Sequence, residues 1–125
     1  MASSIMVVED NPKNMMLICD LLEYKGYQTI SCYNAQEALE KLKSIKPSLI
    51  LMDIQLPQID GLTLTAKIRE MPGMEKVPIV AVTALAMENE RKRILESGCN
   101  GYIVKPINTR SFVKEIEAFL KEKKE

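Results

Sequence analysis

The chain has 125 residues, of which 46% are hydrophobic and 27% charged, a composition that suits one domain with an apolar core. Lysine plus arginine and aspartate plus glutamate both number 17, so the net charge is zero, which argues against direct nucleic-acid binding. No apolar stretch approaches the roughly 20 residues that span a bilayer, and no secretory signal precedes the first apolar run. We therefore expect a single cytoplasmic domain over residues 1–125 with no membrane partner, its core covering about 4–121 and ending in a short charged tail.

The cysteine and histidine content narrows the chemistry further. Cys19, Cys32 and Cys99 are odd in number, widely spaced and form no C-x-x-C pair, so we interpret them as buried apolar thiols rather than as a redox or metal site. The chain contains no histidine, which removes the commonest zinc ligand and general base.

In the first half of the chain, the apolar run Ile5–Val8 predicts a buried strand. The segment Tyr27–Cys32 mixes polar and apolar residues and predicts a more exposed strand at a sheet edge. A helix is predicted after each strand, because apolar residues recur at helical spacing. These residues are Met15, Ile18, Cys19 and Leu22 in the first helix, and Ala35, Ala38, Leu39 and Leu42 in the second.

In the second half, the runs Leu49–Met52, Ile79–Val82 and Tyr102–Val104 predict three more buried strands. The third helix is predicted from Leu64, Ile68 and Met71, and the fifth from Phe112, Ile116, Phe119 and Leu120. The fourth helix, over about 87–97, has the weakest pattern. Its only apolar residues on one face are Met87, Ile94 and Leu95.

Capping residues support these boundaries. Asn11 before Pro12 is typical of a helix start, and Asn34 followed by Glu37 is a variant of the capping box. Gly26 and Gly98 stand where helices commonly end. The order of elements is therefore (βα)5, which predicts an α/β fold with a doubly wound, five-stranded parallel sheet and helices on both faces.

In such sheets, ligands bind beyond the carboxyl ends of the strands. Glu9 and Asp10 follow the first strand, Asp53 ends the third, Thr83 follows the fourth and Lys105 the fifth. Crowded carboxylates repel one another unless a cation joins them, and Mg²⁺ suits an all-oxygen site. An aspartate can attack phosphorus, and a cation, an ammonium group and a hydroxyl can stabilise the charge that develops.

Each of these residues also has a simpler explanation. Taken alone, Glu9 and Asp10 could form a polar strand end or a capping pair, and Asp53 could be a loop residue. Thr83 could be a strand-end hydroxyl, and Lys105 a solvated lysine. Their joint placement at four strand ends favours the functional interpretation.

Four blocks of sequence carry a resemblance to the receiver domains of response regulators, and this resemblance covers nearly the whole chain. The blocks are Met6-Val7-Val8-Glu9-Asp10-Asn11, Leu51-Met52-Asp53-Ile54-Gln55-Leu56-Pro57, Val80-Ala81-Val82-Thr83-Ala84 and Tyr102-Ile103-Val104-Lys105-Pro106. The resemblance implies a strand order of 2-1-3-4-5 and a cis peptide bond before Pro106. Within the family, the chain is most similar to the DivK type of single-domain response regulator.

The resemblance also implies roles for the residues at the strand ends. Asp53 corresponds to the phosphoacceptor of a phosphorelay or two-component system. Asp10 corresponds to the direct ligand of Mg²⁺, with Mn²⁺ as a possible substitute. Glu9 would act mainly through metal-bound water, and Gln55 would bind the metal through its main-chain carbonyl.

The remaining positions imply a conformational switch. Lys105 corresponds to the amine that contacts the phosphoryl group, Thr83 to the hydroxyl that moves toward it, and Tyr102 to the aromatic residue that changes rotamer; a fixed strand tyrosine is the alternative. The phosphodonor would be a histidine kinase or a histidine phosphotransfer protein. A downstream protein would bind the surface formed by the fourth helix, fifth strand and fifth helix. Gln55 and Leu85 offer no group that activates water, which predicts slow self-dephosphorylation.

Three alternatives remain. The chain could be a receiver excised from a hybrid kinase or a DNA-binding regulator. It could be an aspartate-based phosphatase, although those enzymes generally carry Asp-x-Asp, and here Ile54-Gln55 follows Asp53. It could also be a degenerate receiver that serves only as a scaffold, which the complete acidic set argues against. The preferred interpretation is a signalling switch rather than an enzyme.

Overall fold

The computed structural model describes residues 3–84 and 87–122. Strands and helices alternate through this part of the chain, as predicted. The elements are β1 (Ser4–Val8), α1 (Pro12–Tyr24), β2 (Gln28–Cys32), α2 (Ala35–Leu42), β3 (Leu49–Asp53), α3 (Gly61–Arg69), β4 (Ile79–Thr83), α4 (Glu88–Glu96), β5 (Gly101–Val104) and α5 (Phe112–Glu122).

The five strands form one parallel sheet of order β2-β1-β3-β4-β5, which confirms the predicted fold and places β2 at an edge. The register pairs Val8 with Met52, Asp53 with Val82, and Thr83 with Val104. The ends of β1, β3, β4 and β5 therefore reach the same rim of the sheet. The residue that follows each of these strands therefore lies at that rim.

Both faces of the sheet are covered, because successive strand side chains point to opposite sides. Ile5, Val7, Leu49 and Leu51 pack on one side with the buried residues of α1 and α5. The alternate residues of the strands pack on the other side with α2, α3 and Ile94 of α4. Both layers are closed, which explains the continuous apolar runs in the sequence.

The predicted caps are present. The Asn11 side chain accepts hydrogen bonds from the backbone N–H groups of Lys13 and Asn14, at 2.9 and 3.1 Å. The Asn34 side chain accepts one from the Glu37 N–H at 2.8 Å. Gly26 and Gly98 follow the ends of α1 and α4 with φ of 95° and 111°, a conformation that glycine adopts without strain.

The fourth helix departs from the sequence prediction. Met87 and Leu95 were expected to share the buried face with Ile94, but they are 68% and 53% exposed and only Ile94 is buried. The helix is also shorter than predicted, and Met87 at its N-cap makes no side-chain capping bond. A helix that inserts a single side chain under the sheet gains little burial energy, so α4 is the helix least anchored by apolar contacts.

The three cysteines are free and buried, in agreement with their interpretation as apolar thiols. Within 3–84 and 87–122, no helix is both long enough and apolar enough to cross a membrane.

Candidate functional site

The first side chain of the site belongs to Glu9, which continues the line of β1. Its backbone N–H donates to the Cys32 carbonyl at 3.0 Å, so the side chain is held at the rim. The side chain is only 2% exposed. Oε2 accepts a hydrogen bond from the Asn11 N–H at 3.0 Å, while the buried Oε1 has no hydrogen-bond partner among the described residues. One oxygen of a buried carboxylate is therefore left for another ligand.

The second side chain belongs to Asp53, the last residue of β3, which is 3% exposed. Its Oδ1 accepts a hydrogen bond from the Gln55 N–H at 2.9 Å. Its Oδ2 accepts one from the Lys105 ammonium at 3.1 Å. These two bonds fix the orientation of the carboxylate at the rim.

The three acids lie together as the sequence predicted. Glu9, Asp10 and Asp53 each offer a carboxylate oxygen, and these atoms lie within 4.8 Å of one another. Asp10 is exposed, whereas Glu9 and Asp53 are buried, so the cluster opens to solvent on the side of Asp10. Lys105 Nζ also lies 3.7 Å from Glu9 Oε1, an ion-pair contact too long for a hydrogen bond.

The negative charge of the three carboxylates is only partly compensated by nearby positive charge. Burial and, to a lesser extent, repulsion from Asp53 raise the pKa of Glu9, while the Asn11 N–H and the Lys105 ammonium oppose the shift, and the resulting pKa is about 7. One lysine thus only partly balances three carboxylates. The orphaned Glu9 Oε1 and the all-oxygen donor set fit a hard divalent cation such as Mg²⁺.

The other predicted residues lie around this cluster. Thr83 is buried at the end of β4, and its carbonyl accepts a hydrogen bond from the Lys105 N–H at 2.7 Å. Lys105 is joined to Pro106 by a cis peptide bond, as the resemblance implied. Ala84 and Gln55 are exposed beside the cluster. Leu85, one of the positions invoked for phosphoryl lifetime, lies outside the described residues.

Tyr102 lies in β5, directly before the buried Ile103, and is half-buried. Its side chain packs against the core on the side of the sheet that α2, α3 and Ile94 of α4 cover. The guanidinium carbon of Arg91 in α4 stands 5.8 Å from the centre of the ring, within the range of a cation–π contact.

Sequence reasoning missed two residues that shape the site. Asn11 was interpreted only as a helix cap, but its N–H also binds Glu9. Gly61 was not considered; its N–H donates to the Ile54 carbonyl at 2.8 Å, and an added Cβ would collide with the Asp53 carbonyl oxygen. The pair Asp60-Gly61 at the start of a helical pattern signals a cap, but the close approach to β3 is a tertiary feature.

Comparison with known proteins identifies the family. The family model for the response regulator receiver domain matches residues 5–117 of this chain. The polar-differentiation response regulator DivK of Brucella anthropi is 44% identical over 120 residues, which cover 96% of this chain and 98% of that protein. The DivK protein of Brucella ovis is 43% identical over the same proportions of both chains.

Solved structures agree with this assignment. A response regulator from Chloroflexus aurantiacus superposes with a TM-score of 0.91 at 26% identity, covering 97% of this chain and 99% of that one. The receiver domain of a sensor histidine kinase from Pseudomonas aeruginosa superposes with a TM-score of 0.88 at 30% identity and the same coverage. That second structure has a magnesium ion coordinated in its active-site cleft.

Proposed function

Because the chain belongs to the response regulator receiver domain family of two-component signalling, we propose that Asp53 accepts a phosphoryl group from a phosphohistidine on a partner protein. The observation that carries this proposal is the convergence of three carboxylates within 4.8 Å of one another, with Asp53 held by Lys105. The phosphodonor is a histidine kinase or a histidine phosphotransfer protein.

The reaction is a displacement at phosphorus. A carboxylate oxygen of Asp53 forms the new bond to phosphorus as the bond between phosphorus and the imidazole nitrogen breaks, and the electron pair of that bond leaves with the imidazole. The Lys105 ammonium lies 3.1 Å from Asp53 Oδ2, so it is already positioned to balance negative charge on the phosphoryl oxygens. The exposed, small Ala84 leaves space for the donor to approach.

Asp10, Asp53 and the main-chain carbonyl of Gln55 would bind Mg²⁺ directly, and Glu9 would contact it mainly through water. The fit rests on the buried Glu9 Oε1, which lacks a hydrogen-bond partner within the described part of the chain, and on the raised pKa of this carboxyl. The chemistry that the bound ion supplies is neutralisation of the carboxylates and of the phosphoryl oxygens. We expect Mn²⁺ to substitute for it.

Phosphorylation would act as a switch rather than as one step of an enzymatic turnover. The new phosphoryl group adds negative charge beside the buried Thr83, whose hydroxyl moves toward it, and Tyr102 turns inward. The surface that responds consists of α4, β5 and α5, where Leu95 and Val104 are 53% and 40% exposed. A downstream protein would read this surface. Loss of the phosphoryl group by self-hydrolysis would be slow, and a half-life of seconds at neutral pH would contradict this.

The decisive test uses intact-protein mass spectrometry after incubation with acetyl phosphate, with and without Mg²⁺. The expected result is one added phosphoryl group that requires Mg²⁺ and disappears in Asp53→Asn, while circular dichroism shows an unchanged fold. The matched control is Asp20→Asn, because Asp20 is exposed on α1. Incorporation by Asp53→Asn at the wild-type rate would exclude Asp53 as the phosphoacceptor.

A phosphatase is the competing function in another class. It would need a second acid two residues after Asp53, where the chain has Gln55. Incubation with a generic phosphate ester separates the two functions. Many turnovers per protein molecule would favour a phosphatase, whereas no more than one transferred group per molecule favours the switch.

A further inference from the structure

A cavity lies between α1 and α5, and neither Glu9, Asp10 nor Asp53 lines it. It has a volume of about 290 Å³, and we call it the α1–α5 pocket. Its apolar part is formed by Leu21, Tyr24 and Val113, and its charged rim by Lys25, Arg110 and Lys114. None of these six residues takes part in the proposed phosphoryl chemistry.

The apolar part of the α1–α5 pocket includes one strongly exposed side chain, that of Tyr24. Tyr24 is 88% exposed, whereas Val113 is buried and Leu21 is half-buried. A tyrosine ring carries a large apolar area, and here most of that area faces water beside a buried apolar floor. A ring in this position can stack against an incoming aromatic or large apolar side chain.

The rim of the α1–α5 pocket carries an excess of positive charge in a chain whose net charge is zero. Lys25, Arg110 and Lys114 are all exposed, and none of them forms an ion pair with a carboxylate of the described residues. The acid that lines the pocket is Glu117, and its Oε2 already accepts a hydrogen bond from the Tyr27 hydroxyl at 2.9 Å. The rim is therefore complementary to an acidic ligand.

The shape of the surface favours a polypeptide over a compact small molecule. Leu17, Leu21 and Tyr24 follow one another at helical spacing along α1, over roughly 10 Å at 1.5 Å per residue. Leu17 is 39% exposed and lines a neighbouring cavity together with Pro106 and Ile107. An apolar stripe that continues beyond the pocket suits an extended or helical segment with several anchor residues.

We propose that the α1–α5 pocket is a docking site for an acidic segment of a partner protein, which inserts an aromatic or large apolar side chain beside Tyr24. The acidic groups of this segment pair with the rim formed by Lys25, Arg110 and Lys114. We expect this docking not to depend on phosphorylation of Asp53, because the hydrogen bonds and ion pairs of Glu9 and Asp53 among the described residues involve Asn11, Gln55 and Lys105 and no lining residue of the pocket.

The test is selection of a random library of short displayed peptides on the wild-type protein. Selected peptides are then measured against Tyr24→Ala and against the double variant Lys25→Glu/Lys114→Glu. We expect enriched peptides that place acids around an aromatic or large apolar residue, and both variants to weaken their binding by about tenfold or more. The control variant is Lys46→Glu, an exposed charge reversal outside the pocket, which should leave the affinity within about twofold.

Several outcomes would overturn the proposal. They are enrichment of no peptide, enrichment of peptides without acids, and equal binding to the wild type and to both pocket variants. ATP could also displace a selected peptide as strongly as a second acidic peptide does. If the aromatic residue of the peptide were then dispensable too, the pocket would be a general anion site instead. Acetyl phosphate should label all variants at the wild-type rate, so failure of the docking proposal is distinguishable from failure of the phosphoacceptor proposal.

Discussion

Lys105 reaches two carboxylates at once: its ammonium group hydrogen-bonds Asp53 Oδ2 at 3.1 Å and stands 3.7 Å from Glu9 Oε1. The side chain of Lys105 is 22% exposed, whereas those of Glu9 and Asp53 are almost fully buried. A single cation thus balances part of the charge of a cluster that water reaches poorly.

Replacing this cation should change both electrostatics and reactivity. In Lys105→Met, we expect the pKa of Glu9 to rise further, because the ammonium group is one of the groups that hold it down. Phosphorylation by acetyl phosphate should slow by about 100-fold, since a positioned positive charge is lost. Carboxyl-carbon NMR titration and mass spectrometry measure the two effects. The exposed Lys76→Met is the control, and a wild-type rate in Lys105→Met would contradict the assigned role.

Glu9 predicts an unusual dependence of stability on pH in metal-free buffer. The ordinary pKa of a glutamate side chain is 4.5 and that of Glu9 in the fold is about 7, so the folded state binds a proton more tightly than the unfolded state. Stability therefore decreases as the pH rises between these two values, by about 3 kcal/mol, and stays low above them. Urea denaturation of the wild type and Glu9→Gln, with a chelator present, measures the difference.

Glu9→Gln should flatten this part of the pH profile and should be more stable than the wild type above about pH 7, because no charge is buried. Addition of Mg²⁺ should stabilise the wild type more than Glu9→Gln. The exposed Glu40→Gln serves as the control. Parallel pH profiles for the wild type and Glu9→Gln would contradict the proposed burial effect.

Gly61 should tolerate no side chain. A Cβ at this position would lie 2.8 Å from the Ile54 Cα and would overlap the Asp53 carbonyl, so backbone would have to move. We expect Gly61→Ala to lower the free energy of unfolding by about 2–3 kcal/mol and to slow phosphorylation of Asp53. Gly73→Ala is the control, because its Cβ meets nothing within 4 Å and only its positive φ is unfavourable. Equal losses in both variants would contradict the steric explanation.

Arg69 should stabilise the end of the sheet opposite the carboxylate cluster. Among the residues that the structure describes, its guanidinium donates to uncharged oxygens only, and burial lowers its pKa. These acceptors include oxygens of Met74, Val77, Gly98 and Asn100, at 2.7 to 3.0 Å. Arg69→Met leaves several part-buried carbonyls without this donor, so we expect a loss of about 3 kcal/mol.

Thermal or urea unfolding measures this loss, with the exposed Lys67→Met on the same helix as the control. Labelling of the folded protein by acetyl phosphate should continue, because Arg69 does not contact the site. A difference between Arg69→Met and Lys67→Met below about 1 kcal/mol would mean that water replaces the guanidinium at little cost.

The amino-acid sequence determined the order of the elements, the strand ends that carry Glu9, Asp10, Asp53, Thr83 and Lys105, and the principal helix caps. These features depend on local periodicity and on the rule that parallel strands end at one rim, so neighbours in sequence suffice to predict them.

Other features were decided only by the tertiary structure. They include the approach of Gly61 to β3 and the contacts of Arg69 with backbone carbonyls, which connect segments that are distant in sequence. They also include the exposure of Met87 and Leu95 and the Glu9 oxygen without a hydrogen-bond partner, which depend on how the other elements pack. Burial, desolvation and steric overlap depend on which atoms the fold brings within a few ångströms, and no local pattern encodes that distance.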